Sequence, residues 1–212
     1  MPLPIALFGG TFDPPHCGHL KIALAVLDAQ LAAQVWFMPA KTPPHKHTGT
    51  AFAHRFAMTE LLIQNHSGLA LCDLEARAAG RNYTIDSLRR LRAQYPEQKF
   101  RLLIGADMAL SFGTWREAGA VLRLAPPLVA ARPGYEFPAG FGADEPAELT
   151  PDERRLLADG VFTAALDDAA STAIRANIAR GDYRSVPAAV ADYIRAQGLY
   201  SINNSQLTIN NC

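Results

Sequence analysis

Ten residues near the amino terminus concentrate side chains suited to one task. Gly10-Thr11-Phe12-Asp13-Pro14-Pro15-His16-Cys17-Gly18-His19 follow directly on Gly9. His16 and His19 are three positions apart, so one helical turn sets both imidazoles on the same side. There, each can donate a hydrogen bond to a phosphate oxygen. Gly9 and Gly10 let the backbone turn tightly and bring N–H groups against a ligand. Gly18 removes a side chain where the next helix begins, and the positive end of that helix favours an anion. The stretch is neither a Rossmann G-x-G-x-x-G nor a Walker loop. On spacing alone the pair also reads as two metal ligands or two surface histidines. A metal would need more ligands than these two.

The elements that must hold this loop follow from hydrophobic periodicity. Ile5–Phe8 is an apolar run stopped by glycines and reads as a buried first strand. Leu20, Ala23, Leu24, Leu27 and Leu31 recur at helical spacing and predict a helix from His19 to Ala32. Further strands are predicted at Val35–Met38, Leu69–Leu74, Phe100–Ile104, Leu128–Ala131 and Val161–Leu166. Helices are predicted at Phe52–Gln64, Thr84–Gln94 with Thr84 as its cap, Thr114–Leu124, Ser171–Arg180 and Pro187–Gln197. Residues 41–50 and 133–150 read as loops. Strands alternating with helices, with the early strands almost wholly apolar, predict an α/β fold: a doubly wound parallel sheet with a helical C-terminal part. Ligands of such folds lie beyond the carboxyl ends of the strands. That marks loops 9–18, 39–50, 75–83, 105–115 and 132–135.

Composition narrows the classes. The chain has 212 residues, 49% of them hydrophobic, with 20 Lys+Arg against 20 Asp+Glu. One domain over residues 1–200 is expected, with a charge-free tail at 201–212 to which no role is assigned. Zero net charge argues against a nucleic acid held by the overall field. The apolar stretches are too short for a membrane span, and the amino terminus lacks the basic start of a secretory signal. Cys17, Cys72 and Cys212 form no CxxC pair, so neither a disulfide framework nor a cysteine zinc site is indicated. Cytoplasm is the expected compartment.

The ten-residue stretch fits G-x-F-x-P-x-H-x-G-H and resembles the signature of the HxGH nucleotidyltransferases, whose fold is Rossmann-like. The wider chain resembles the bacterial nicotinate-nucleotide adenylyltransferases (the NadD type) of NAD synthesis. The resembling stretches are ALFGGTFDPPHCGH, PPHK at 43–46, NYT at 82–84, IGAD at 104–107, TW at 114–115, RPGY at 132–135 and STAIR at 171–175. The resemblance implies that the 5′-phosphate of nicotinate mononucleotide attacks the α-phosphate of ATP and releases pyrophosphate. That phosphate is already ionised at pH 7, so no general base is required. Catalysis then rests on positioning and on stabilising charge. Mg²⁺ is implied as the metal–ATP complex, with no protein ligand named.

The resemblance also assigns residues. His16 and His19 are the implied catalytic pair, with His19 at the α-phosphate. Gly9, Gly10, Thr11, Phe12, Gly18, Gly105, Asp107, Thr172 and Arg175 are implied on the ATP side. Thr172 would bind phosphate at a helix start, and Arg175 would reach the β- and γ-phosphates. Ala169 and Ala170 stand where the family's second motif usually has Ile and Ser, so one hydroxyl is missing. His45, Lys46, Tyr83, Thr84, Trp115 and Arg132 are implied on the mononucleotide side, with the indole stacking on the pyridine ring. Asp86 and Arg89 read as helix surface. Two alternatives are weighed beside this reading: the same chemistry on nicotinamide mononucleotide or phosphopantetheine, and a nucleotide-binding regulator without turnover. The 82–84 and 114–115 matches disfavour phosphopantetheine, and intact His16, Gly18 and His19 disfavour the regulator.

Overall fold

A computed structural model describes residues 2–43, 49–78, 80–131, 136–137, 149–164 and 171–201. Among these residues six strands form one parallel sheet: β1 (Ile5–Gly10), β2 (Gln34–Pro39), β3 (Leu69–Leu71), β4 (Phe100–Gly105), β5 (Pro127–Ala131) and β6 (Val161–Thr163), in the order β3-β2-β1-β4-β5-β6. The helices are α1 (Cys17–Asp28), α2 (Phe52–Ile63), α3 (Thr84–Gln94), α4 (Ala106–Leu110), α5 (Ala118–Leu124), α6 (Pro151–Asp159), α7 (Ser171–Ala179) and α8 (Ala188–Ala196), with one 3₁₀ turn at Phe112–Thr114.

Side chains alternate along each strand and so build two cores. Ala6, Phe8, Val35, Phe37, Leu103 and Leu128 face α1, α2, α7 and α8 through Ala23, Val26, Met58, Leu62, Ile174, Ile178, Val190 and Ile194. Ile5, Leu7, Met38, Leu102, Ile104 and Val129 face α3 to α6 through Ile85, Leu88, Leu91, Ala109, Val121, Leu122 and Leu157. Burial on both faces explains why these strands read as continuous apolar runs.

The order of the strands reverses between β1 and β4, and the ladder between them is short. It pairs Ile5 with Phe100, Ala6 with Arg101 and Leu7 with Leu102, and goes no further. Beyond Leu7, β1 stays paired with β2 as far as Gly10 and Pro39, while β4 stays with β5 as far as Gly105 and Ala130. The carboxyl ends of the two strands therefore open a crevice at the switch point, where doubly wound sheets bind ligands.

Several boundaries differ from those the sequence predicts. Gly9 and Gly10 belong to β1, and β3 stops at Leu71 rather than Leu74. The predicted helix from Thr114 is a 3₁₀ turn, a break at Trp115–Glu117 and then α5. Glu117 sits at φ 54°, in the left-handed region that no continuous helix passes through. α4 and α6 were not predicted. α4 is too short to show periodicity, whereas α6 carries a legible start: Thr150 caps it, Pro151 opens it and Glu153 completes a capping box. Tyr83, not Thr84, is the N-cap residue of α3. Gly181 and Gly198, after α7 and α8, adopt φ values of 85° and 61°, the left-handed turn that glycine makes at low cost. Cys17 and Cys72 are not joined to each other in a disulfide. No helix among the described residues is long and apolar enough to cross a membrane.

Candidate active site

The loop from Gly10 to His16 leaves β1 at the crevice and enters α1. His16 is the N-cap residue, in an extended conformation, and is 9% exposed. Its backbone N–H donates to Nδ1 of His19 at 3.2 Å, and the two rings lie 3.7 Å apart, centre to centre. That bond gives Nδ1 of His19 the acceptor role. In the neutral ring the proton then resides on Nε2, leaving an N–H donor on the far side of the imidazole.

Glycine is needed here for reasons of contact. A Cβ on Gly18 would stand 3.0 Å from Nδ1 of His16, so glycine lets that imidazole lie over the first helical turn. A Cβ on Gly10 would stand 3.0 Å from Cζ of Phe12. A Cβ on Gly9 would meet nothing within 4 Å, which leaves space for a ligand. Phe12 is 2% exposed, in the left-handed region at φ 50°. Its ring packs edge-on against Phe8 and His19, at 5.6 and 5.0 Å between centroids. The side chain of Phe12 thus lies in the core and orients His19. The Cys17 N–H donates to the Ser185 carbonyl at 2.9 Å, so this first-turn amide serves the α7–α8 connection.

The second motif meets the first. Nη1 of Arg175, on α7, donates to the Asp13 carbonyl at 2.7 Å, and Nη2 donates to the Thr172 hydroxyl at 3.1 Å. Across the crevice, Gly105 caps α4 and Asp107 lies in its first turn. A Cβ on Gly105 would stand 2.6 Å from Oδ1 of Asp107, so the carboxylate folds back over the end of β4.

Of the residues implied for the mononucleotide, Tyr83 and Trp115 pack against the same core, that of α3 to α6. The Arg116 guanidinium lies 4.8 Å from the centre of the Tyr83 ring and 3.6 Å from Asp86. Arg89 bridges both carboxylate oxygens of Glu117, at 3.1 and 2.6 Å. These outer-face contacts bind the segment carrying Trp115 to the start of α3, where Thr84 is the first helical residue. Trp115 stacks on Phe112 at 4.7 Å and 22° and is half-buried. His45, Lys46 and Arg132 lie outside the described residues, as do Ala169 and Ala170.

Sequence reasoning missed the residues that tie these loops together. Arg55 is fully buried in α2 and donates to three carbonyls: Thr11 at 2.6 Å, Thr50 at 3.2 Å and Lys41 at 3.3 Å. One guanidinium thereby fixes the loop after β1 to the loop after β2. Burial pushes its pKa down, opposed by the nearby charge of Asp13 and by Tyr200. The Tyr200 hydroxyl donates to Oδ1 of Asp13 at 2.6 Å; burial first, and this bond second, hold it above the ordinary tyrosine range. Asn82 exchanges two bonds with the backbone of Thr42, at 2.7 and 3.0 Å. Lys41 donates to the carbonyls of Ala76 and Ala78 at 3.0 and 3.4 Å. The available signal was Arg55 itself, a charge at helical spacing among the apolar Phe52, Phe56, Leu62 and Ile63.

A parallel sheet split at its switch point, with paired imidazoles at the start of α1 and the Arg175 guanidinium of α7 bonded to the loop before them, is a doubly wound α/β fold with a donor-lined crevice. The Cytidylyltransferase-like family matches residues 7–177. Over 93% of its length the chain is 36% identical to a protein of Exiguobacterium sibiricum named "Probable nicotinate-nucleotide adenylyltransferase", covering 98% of that protein. It is 34% identical to a protein of the same name in Geotalea uraniireducens, again over 93% and 98%. The structure also superposes on a Plasmodium falciparum nicotinic acid mononucleotide adenylyltransferase complexed with NaAD, with a TM-score of 0.74 at 19% identity over 95% of this chain and 98% of that one. This last likeness is one of fold. The chain belongs to the cytidylyltransferase-like family and, within it, to the nicotinate-nucleotide adenylyltransferases.

Proposed function

We propose that this protein transfers the adenylyl group of ATP to nicotinate mononucleotide, forming nicotinate adenine dinucleotide and pyrophosphate in NAD biosynthesis. The observation that carries this reading is the meeting of the two motifs. Arg175 is bonded to the loop that presents His16 and His19, at the open end of β1.

In this reading ATP lies in the crevice between β1 and β4, with its phosphates over Gly9, Gly10 and the start of α1. Asp107 accepts from a ribose hydroxyl. The 5′-phosphate oxygen of the acceptor attacks the α-phosphorus, and the bond to the bridging oxygen of pyrophosphate breaks. Nε2–H of His19 donates to an α-phosphate oxygen as charge gathers there, while His16 and Arg175 hold the leaving phosphates. No residue needs to take a proton from the nucleophile. Donors already in place do not reorganise during the reaction, which is the source of their effect.

The donors gathered here are imidazole, guanidinium and backbone amide, which suit phosphate oxygens rather than a cation. Mg²⁺ would therefore be held by the ATP phosphates rather than by the protein, and would supply charge neutralisation to the leaving pyrophosphate.

Tyr83, Thr84 and Trp115 are the acceptor pocket in this reading, with His45, Lys46 and Arg132 contributing to phosphate binding. The experiment is pyrophosphate release with ATP and each acceptor in turn: nicotinate mononucleotide, nicotinamide mononucleotide and phosphopantetheine. Turnover with the first and little with the others is expected. Binding without turnover would favour a regulator.

A further inference from the structure

Glu75 is a buried carboxyl that the reaction does not use. It lies in the turn after β3 and is 5% exposed. Oε1 accepts from the Ser87 hydroxyl at 2.6 Å. Among the described residues it forms no ion pair. The charges around it stand off: Arg90 on α3 acts on it only through space, Asp73 and Arg77 of its own turn pair with each other, and Lys41 from the loop after β2 is bonded to the Ala76 and Ala78 carbonyls. Cys72, at the end of β3, is a thiol whose own pKa is pushed up, by burial first. Enclosure favours the neutral form of this carboxyl, and the Ser87 hydroxyl and the distant charge of Arg90 oppose that only in part.

Its position gives this a consequence. Ser87 is itself buried, at 4% exposure, and lies one helical turn beyond Thr84 on the same face of α3. Glu75 thus sits behind the start of the helix that carries the acceptor pocket. The favoured acceptor differs from its amide in bearing a carboxylate. A second negative charge behind that pocket opposes it; a protonated Glu75 does not.

Resting on the proposed adenylyl transfer, we infer that Glu75 is a specificity-determining residue: its protonation, sensed through Ser87 and the first turn of α3, sets the affinity for a carboxylate-bearing mononucleotide over its amide. Burial raises this carboxyl to about 7, against the opposing pull of Ser87 and Arg90. Affinity for the acid acceptor is therefore full below that pH and falls as pH rises through it. A coupling of half to one pKa unit corresponds to roughly three- to tenfold in KM.

The test is KM for nicotinate mononucleotide, nicotinamide mononucleotide and ATP from pH 6 to 8.5, in the wild type and in Glu75→Gln. Glutamine retains an acceptor for Ser87 and cannot ionise. The variant profile also contains the titration of the substrate phosphates, so the ratio of wild type to variant isolates Glu75. A ratio that rises about threefold or more for the acid acceptor, and stays flat for the amide and for ATP, is expected. A flat ratio for the acid, or an equal rise for ATP, overturns the inference. Should Glu75→Gln fail to fold, Ser87→Ala decides the matter. Loss of the hydroxyl raises the Glu75 pKa, so the acid-specific rise must move to higher pH, and an unmoved profile overturns the inference. Wild-type turnover in the same assay keeps the two readings apart. No turnover with the acid defeats the proposed function, whereas turnover with flat ratios defeats only the role of Glu75.

Discussion

Arg175 donates from Nη1 to the main-chain oxygen of Asp13 at 2.7 Å, joining residues 162 positions apart in the chain. The guanidinium proposed to hold the leaving phosphates thus also holds the loop that presents the histidines. Arg175→Ala is expected to raise KM for ATP by roughly tenfold or more, the scale of one charge-assisted bond, and to lower kcat as the loop relaxes. KM for the mononucleotide is expected to change much less. Steady-state kinetics with each substrate varied in turn checks this, and equal effects on both KM values would place Arg175 elsewhere.

His19→Ala removes the donor oriented by the His16 N–H and the Phe12 ring. One preorganised stabiliser of transition-state charge is worth about 10²–10³ in rate, so kcat is expected to drop at least that far. The circular dichroism spectrum should stay native, because His19 is not among the buried core residues. Near-normal kcat would remove His19 from the chemistry.

Thr84→Val keeps the shape of the first residue of α3 and deletes its hydroxyl. The preference for acid over amide acceptor should narrow by roughly tenfold, the cost of about one unpaired polar group. Trp115→Ala should instead weaken both acceptors alike, because stacking on an indole does not read the carboxylate. Measuring kcat/KM for both acceptors in both variants separates the two roles. A Trp115→Ala variant that changes only the acid would contradict the stacking assignment.

Glu75 also predicts a pH dependence of stability. Its carboxyl is raised from 4.5 to about 7, so the folded chain holds this proton more tightly than the unfolded chain does. Between those values the unfolded state loses its proton first, and stability falls as pH rises. Above about 7 the loss is complete, at up to about 3 kcal/mol. Glu75→Gln escapes it. Urea unfolding at pH 5 and pH 8 should show the variant gaining on the wild type at the higher pH. Parallel behaviour at both pH values would mean that Glu75 is ionised throughout.

Much of this architecture was legible because burial on both faces of a parallel sheet leaves apolar runs, and because glycine marks strand ends and helix exits. The core of each predicted strand is present, and the loop carrying His16 and His19 lies at the switch point. What was not legible depends on long-range contact. Nothing local distinguishes Tyr200 from any tyrosine near a chain end, yet its hydroxyl reaches Asp13. Phe12 stands inside the signature, where its neighbours suggest ligand contact. Only the packing shows that its ring belongs to the core. The break at Glu117 was hidden because Thr114–Leu124 carries helical periodicity through a residue that adopts a left-handed turn.

In the proposed reaction this chain joins ATP to nicotinate mononucleotide in preference to the amide. The most direct measurement is kcat/KM for pyrophosphate release by the wild type with ATP, Mg²⁺ and each mononucleotide at pH 7. Robust release with the acid and at least about tenfold less with the amide is expected. Equal use of the two, or release with neither, would contradict it.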